Sequence, residues 1–318
     1  MKLSLIIPCY NEQDSLSYLY EELVRVSESM PDYDFEYLFI DDGSKDKTLS
    51  IIEDLAQNDK RVVYIAFSKN FGKEAAMYAG FCNSTGDYVA VMDADMQDPP
   101  SLLPKMVQIL ESGEYDSVAT RRVTRKGEPP VRSLCANMFY KIFKRASNVN
   151  IVSGARDFRL MKREMVDAII QMCEHNRFSK GIFGWIGFKT YWLPFENIER
   201  VAGKSKWSFT KLFKYSFDGI FSFSDAALNI PYYLSAFLAL ASTAPLAYFI
   251  YYCITFGFWM GYPAITGSLI LFSVLTIGAL LFLSLGLLGA YVSKIYDEVK
   301  GRPHYIVANT NKKDVVKK

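Results

Sequence analysis

Through the first third of the chain, short apolar runs rich in β-branched residues alternate with stretches whose apolar positions recur every three or four residues. The runs cover residues 3–7, 37–40, 62–67 and 88–92, and each reads as a buried strand. After the first run, Asp14 and Ser15 can cap a helix reaching to about Met30, with Leu16, Leu19, Leu23 and Val26 on one face. Helices over 47–57 and 74–83 follow the second and third runs. Strands alternating with helices predict right-handed crossovers and a mostly parallel sheet. Each run ends in polar or glycine-containing sequence, so the polar turns gather along one sheet edge, the edge at which open α/β sheets bind ligands.

The pattern changes in the last third. No Asp, Glu, Lys, Arg or His occurs between Ala226 and Ser293, a stretch long enough to cross a bilayer twice at about 20 residues per crossing. A first span is expected over 230–256, with Pro231 in its opening turn and a kink at Pro245, and a return span over 265–293. The turn between them carries Trp259 and Tyr262, which suit a headgroup boundary. Just before, residues 208–229 place Phe209, Phe213, Phe217, Phe221 and Phe223 among Lys211, Lys214 and Asp218, the pattern of an amphipathic helix in the membrane interface or of a plain core helix. The tail from 294 holds seven lysines and arginines, so it is expected on the cytoplasmic side of the inner membrane, and a two-span hairpin puts the N-terminal domain there too. Gly286 and Ala290 form a small-xxx-small pair, a hint of helix packing and of a homo-oligomer.

Composition narrows the classes. The 318 residues suffice for one α/β domain with an addition, and a net charge of +2 implies no nucleic-acid partner. Five scattered cysteines without a CxxC pair read as reduced thiols, and two distant histidines make a zinc site a poor fit. The apolar run at residues 3–7 is too short for a signal peptide.

Candidate chemistry sits where the fourth run ends. Asp93 and Asp95 are spaced by one residue, so on a continued strand they would point the same way. Two hard oxygen ligands there suit a divalent cation that keeps some waters and holds a diphosphate; a capping pair ahead of the Pro99-Pro100 turn explains them equally well. Downstream, Arg121, Arg122, Arg125, Lys126 and Arg132 form a basic loop, either a solvated run or an anion-binding lid.

Four motifs in order carry a resemblance. They are Ile7-Pro8-Cys9-Tyr10-Asn11-Glu12, Asp41-Asp42-Gly43-Ser44, Asn70-Phe71-Gly72-Lys73 and Asp93-Ala94-Asp95-Met96-Gln97-Asp98-Pro99-Pro100. Together they resemble glycosyltransferase family 2, with its Rossmann-like GT-A fold. Arg200-Val201-Ala202-Gly203-Lys204-Ser205-Lys206-Trp207 and the segment from Tyr296 to Pro303 are similar to polyprenyl-phosphate sugar transferases such as bactoprenol glucosyltransferases and dolichyl-phosphate mannose synthases. One departure is Asn197, three positions before Arg200, where many relatives carry a second basic residue.

The resemblance covers nearly the whole chain and implies a catalytic domain over 1–207, interfacial helices over 208–229, a two-helix membrane domain over 230–293 and a basic tail over 294–318. It implies metal-dependent, inverting transfer of one sugar from a nucleotide-sugar donor to polyprenyl phosphate at the bilayer. Asp93, Asp95 and Gln97 would hold Mg²⁺ or Mn²⁺. Pro8, Tyr10, Asn11, Glu12, Asp41, Asp42, Gly72, Lys73, Asp93 and Ala94 would seat the nucleotide. Arg121 and Arg132 would meet the acceptor phosphate, Arg200 and Lys206 the donor diphosphate. Asp157 is the candidate base, or a group that orients the acceptor, or a helix N-cap. UDP-glucose is the favoured donor; UDP-N-acetylglucosamine, UDP-aminoarabinose and GDP-mannose stay open. So do a processive synthase, which two spans disfavour, and a membrane-anchored nucleotide-sugar binder without catalysis.

Overall fold

The computed structural model describes residues 1–123, 154–195, 226–241 and 263–316, together with 152, 243, 251, 254 and 255. The chain divides into two compact units, Met1–Ser222 with Gly301–Lys318, and Phe223–Lys300.

In the first unit the apolar runs become β1 (Lys2–Cys9), β2 (Asp34–Asp41), β3 (Val62–Phe67) and β4 (Tyr88–Val91). They pair in parallel in the order β4-β1-β2-β3. Their residues are buried almost without interruption, as expected of parallel strands covered on both faces. The crossovers are α1 (Leu16–Glu28), α2 (Thr48–Asn58) and α3 (Lys73–Asn83). Leu16, Leu19, Leu23 and Val26 of α1 enter the core beside Leu5, Tyr37 and Phe39, so the predicted face is the buried one.

The sheet then changes sense. After α4 (Leu103–Glu111) come β5 (Ser117–Arg122), β6 (Ala155–Lys162), α5 (Arg163–Gln171), α6 (Ser179–Trp185) and β7 (Thr190–Phe195). Strand β6 runs antiparallel to both β4 and β5, and β5 pairs in parallel with β7. Asp157 therefore lies within a strand, and the N-cap of α5 is Lys162.

A last strand comes from the tail. β8 (Val307–Thr310) pairs antiparallel with β3 and completes the order β7-β5-β6-β4-β1-β2-β3-β8. Tyr305, only 2% exposed, stacks on Phe67 with ring centroids 4.9 Å apart and donates its hydroxyl to the Val316 carbonyl at 2.6 Å. The Ile306 carbonyl accepts the Ser68 N–H at 2.9 Å, and Asn311 bonds Val62 and Tyr64 across the edge. A sheet edge that would otherwise offer unpaired backbone groups is thus covered by the chain itself.

The second unit corrects one expectation. Two membrane-crossing helices are predicted from the charge-free stretch, but among the described residues only one helix is long and apolar enough. The helix α7 (Ala226–Ala241) has 16 residues and spans about 24 Å, short of a hydrocarbon core of ~30 Å. The helix α8 (Pro263–Val299) has 37 residues, and its apolar portion Thr276–Val299 is nowhere buried in the protein. Lack of charge reports what a stretch tolerates around it, not where one helix ends and the next begins. Residues 208–225, Trp259 and Tyr262 lie outside the described residues, so the interfacial helix and the turn are not described.

The tail contacts generate a stability prediction. Tyr305→Ala removes a buried ring from the β3 edge and is expected to cost about 3 kcal/mol. Thermal unfolding in detergent should show a midpoint several degrees lower; an unchanged midpoint would mean that β8 does not anchor the sheet.

Candidate active site

Backbone turns at the ends of β1 and β2 are laced together by short polar side chains. Asn11, at φ +53°, donates its N–H to Ser44 Oγ at 2.9 Å, and its Oδ1 accepts the Lys45 N–H at 2.8 Å. The Glu12 N–H reaches Thr48 Oγ1 at 2.7 Å. Gly43, at φ +66°, is required because a Cβ there would lie 2.4 Å from the Lys69 carbonyl carbon.

Asp41 and Asp42 end β2 nearly buried. The Asp42 carboxylate accepts the N–H groups of Phe71 and Gly72, at 2.6 and 2.9 Å, and the Asn70 amide at 2.8 Å. It thereby organises the Asn70-Phe71-Gly72 turn, yet burial outweighs these bonds and pushes its pKa up to about 6. Asp41 Oδ2 accepts the Ser44 N–H at 3.2 Å, while its Oδ1 is buried without a hydrogen-bond partner. Such an unused acceptor can take a donor from a ligand, such as a nucleobase N–H. Pro8 and Tyr10 are half-buried at the end of β1 and the start of its turn, and Ala94 is buried behind the turn after β4.

Strand β4 stops at Val91, so Asp93 and Asp95 stand in a turn and not on a continued strand. Met96, at φ +59°, reverses the chain, and Asp95 Oδ1 accepts the Gln97 N–H at 3.1 Å. The Lys73 ammonium pairs with Asp93 at 2.5 Å and also with Asp157. Burial alone would lower the Lys73 pKa, but the Asp157 and Asp93 carboxylates reverse that and hold it above the ordinary value. Burial would likewise raise the Asp157 pKa; Lys73 and then Lys180 hold the carboxyl well below the usual range, so Asp157 stays ionised. Lys180 belongs to α6, whose first residue, Ser179, donates its N–H to Glu74 of α3 at 3.1 Å.

The site contains a pair that sequence reasoning missed. Asp98, fully buried, receives a two-pronged bond from Arg156, Nε to Oδ1 at 2.9 Å and a terminal nitrogen to Oδ2 at 3.2 Å. Asp98 stands in the Asp93–Pro100 motif, but only the β4–β6 pairing brings Arg156 to it. Arg121, the last but one residue of β5, pairs with Ala155. Arg132, Arg200 and Lys206 lie outside the described residues.

Divalent-metal chemistry fits this donor set. Asp93 already attracts a cation, the Lys73 ammonium, and Asp95 and Gln97 add hard oxygens in the same turn. Among the described residues no group of three or more His, Cys, Asp or Glu converges, so diphosphate oxygens and water would complete the shell.

The profile of "Glycosyl transferase family 2" matches residues 4–170, which includes the four ordered motifs but not the Tyr296–Pro303 segment. Similarity extends further, since the putative glycosyltransferase CsbB of Bacillus subtilis (strain 168) is 43% identical over 97% of this chain and 92% of its own. The chain belongs to glycosyl transferase family 2. Other full-length relatives are the bactoprenol glucosyl transferase of Shigella phage SfX, 39% identical over 96% of this chain and 99% of its own, and the prophage bactoprenol glucosyl transferase homolog of Escherichia coli (strain K12), 38% identical over 98% and 100%. Among solved structures, glucosyl-3-phosphoglycerate synthase of Mycobacterium tuberculosis, in complex with Mn²⁺, UDP-glucose and phosphoglyceric acid, is similar at a TM-score of 0.46 and 16% identity over 68% of this chain and 76% of that one. That likeness is too slight to carry an argument about this glycosyltransferase.

Asp42 generates a pH prediction. A carboxyl whose pKa rises on folding binds more protons in the native state between the two values, so stability falls as pH climbs from about 4 to about 6 and then levels off. The expected loss is on the order of 3 kcal/mol. Urea unfolding in the presence of EDTA should show a flatter slope in Asp42→Asn; an identical slope would rule out Asp42 as its source.

Proposed function

We propose that this enzyme transfers glucose from UDP-glucose to the phosphate of a polyprenyl phosphate at the cytoplasmic leaflet, with inversion at the anomeric carbon. The observation that carries the reading is end-to-end similarity to bactoprenol glucosyl transferases, combined with the cluster of Lys73, Asp93 and Asp157. The basic tail supports the membrane sidedness: Gly301–Lys318 belongs to the same compact unit as the sheet, so tail and active site share one side.

In this mechanism Asp41, with its unused Oδ1, takes the N–H of the uracil ring, and Tyr10, Asn11 and Glu12 flank the nucleoside. Asp93, Asp95 and Gln97 would hold Mg²⁺ or Mn²⁺, which when bound neutralises charge on the departing diphosphate. An acceptor phosphate oxygen forms the new bond to the anomeric carbon as the bond to UDP breaks, the electron pair leaving with the diphosphate. Asp157, held ionised by Lys73, orients the incoming group; a phosphate monoester has a second pKa near ~6 and is already largely ionised at neutral pH, so no proton need be removed.

The test is incorporation of radiolabel from UDP-glucose into organic-extractable lipid by purified protein given undecaprenyl phosphate. Label that requires Mg²⁺ or Mn²⁺ and carries a β-linked sugar is expected; an α-linked product would overturn the inverting mechanism, and no label would overturn the reaction. Asp95→Ala should lower the rate by at least about a hundredfold while the protein still extracts with membranes. Wild-type turnover in that variant would remove Asp95 from the metal site.

A further inference from the structure

One stripe of α3 has no part in the reaction proposed above. Glu74, Tyr78 and Phe81 follow one another at spacings of four and three residues, so they share a face of the helix. That face receives the segment that leads into α6 and α6 itself. Both oxygens of the Glu74 carboxylate accept the Ser179 N–H, at 3.2 and 3.1 Å, and Oε2 also accepts the Ser179 hydroxyl. The Arg177 guanidinium lies over the Tyr78 ring, 4.1 Å from its centre. Phe81 meets Phe183 edge to face, with ring centroids 6.5 Å apart.

These contacts differ in what they fix. Ring contacts resist separation more than sliding, whereas hydrogen bonds to an ionised carboxylate are strong and directional. Ser179 is only 3% exposed, so water competes little for its bonds to Glu74. With seven residues, α6 makes few internal hydrogen bonds, and the N–H groups of its first turn need acceptors from elsewhere. Glu74 supplies one at the first residue and thereby sets where α6 begins.

The placement matters because of the neighbours in sequence. Lys73 precedes Glu74, and Lys180 follows Ser179. Lys73 pairs with Asp157, and Lys180 lies within electrostatic reach of the same carboxylate. Asp157 therefore faces cations from two helices, and the bond from Glu74 to Ser179 ties those helices together at the adjoining residues.

We propose that Glu74 is a positioning residue: through Ser179 it fixes Lys180 beside Asp157, so that cations on two helices hold this carboxylate while it orients the incoming group. The inference rests on the glycosyl-transfer reading above and gives Glu74 no contact with either substrate. The stripe on α3 is visible in the sequence, but its partner is not, since Ser179 stands 105 positions after Glu74.

The test is a double-mutant cycle on the full-length protein in the radiolabel assay, with thermal unfolding of each variant alongside. Glu74→Gln keeps the size of the side chain and removes its charge; it should lower kcat about tenfold and leave KM for UDP-glucose within about twofold. Lys180→Gln should lower kcat at least as much. The double variant should be slower than Lys180→Gln by less than about twofold, because Glu74 then has no lysine left to place. Ser179→Ala removes only the hydroxyl bond; it should lower kcat about threefold with the same non-additivity, and it decides the matter if Glu74→Gln does not fold. Losses that multiply in the double variants overturn the proposal, since general support of α3 and α6 would act independently of Lys180. Wild-type kcat in Glu74→Gln and Ser179→Ala overturns it too, as does a raised KM for UDP-glucose with kcat unchanged, which would put Glu74 in donor binding. Each of these results spares the reaction. A wild type that labels no lipid overturns the reaction and the role of Glu74 with it.

Discussion

The Lys73 ammonium between Asp93 and Asp157 is the contact on which the site depends. The β4–β6 register pairs Val91 with Arg159, and continuing it two residues past the end of β4 sets position 93 across from position 157. Antiparallel pairing therefore drives two carboxylates towards each other in a poorly solvated place, where like charges repel strongly. A cation at the start of α3 resolves the conflict and ties three segments distant in sequence. The turn that delivers Lys73 is itself shaped by Asp42, whose carboxylate gathers the N–H groups of Phe71 and Gly72. The proposed nucleotide seat and the proposed reacting edge are thus one mechanical unit, built where β2 and β4 end and β6 begins.

Charge is divided across that unit. The parallel half of the sheet presents carboxylates, Asp41, Asp42, Asp93 and Asp95, at its strand ends. The mixed half presents Arg156, Arg159 and Lys180. On the mechanism proposed above, a divalent cation held by the first half would offset the repulsion that a diphosphate meets there. A second anion approaching the other half meets fixed cations directly. Two phosphate-bearing substrates can therefore occupy neighbouring sites without their charges adding, and the Lys73 pair marks the boundary.

How far the sequence revealed this follows from which interactions are local. Buried parallel strands are apolar runs that stop at polar turns, so β1 to β4, the buried face of α1 and the four motifs were all readable. The Asp98–Arg156 pair and β8 were not, since each depends on a strand register that local patterning does not encode. The turn that carries Asp95 was not legible either, since the strand ends at Val91 and Met96 takes a left-handed conformation. The membrane helices were miscounted for another reason. Charge-free composition says nothing about helix continuity, and α7 is too short while α8 runs on past Ser293 through Lys294, Asp297 and Glu298.

The electrostatics of Asp157 also bear on which acceptor the site suits. A general base works best with a pKa near the working pH, and Asp157 is held far below that by Lys73 and Lys180. A hydroxyl acceptor would find little help there in losing its proton. A phosphate monoester needs none, because it arrives ionised. What it needs is positive charge to offset its own beside the departing diphosphate, and the cations that depress Asp157 supply it. The same lysine pair that disqualifies this carboxylate as a strong base makes the neighbourhood favourable for a charged nucleophile.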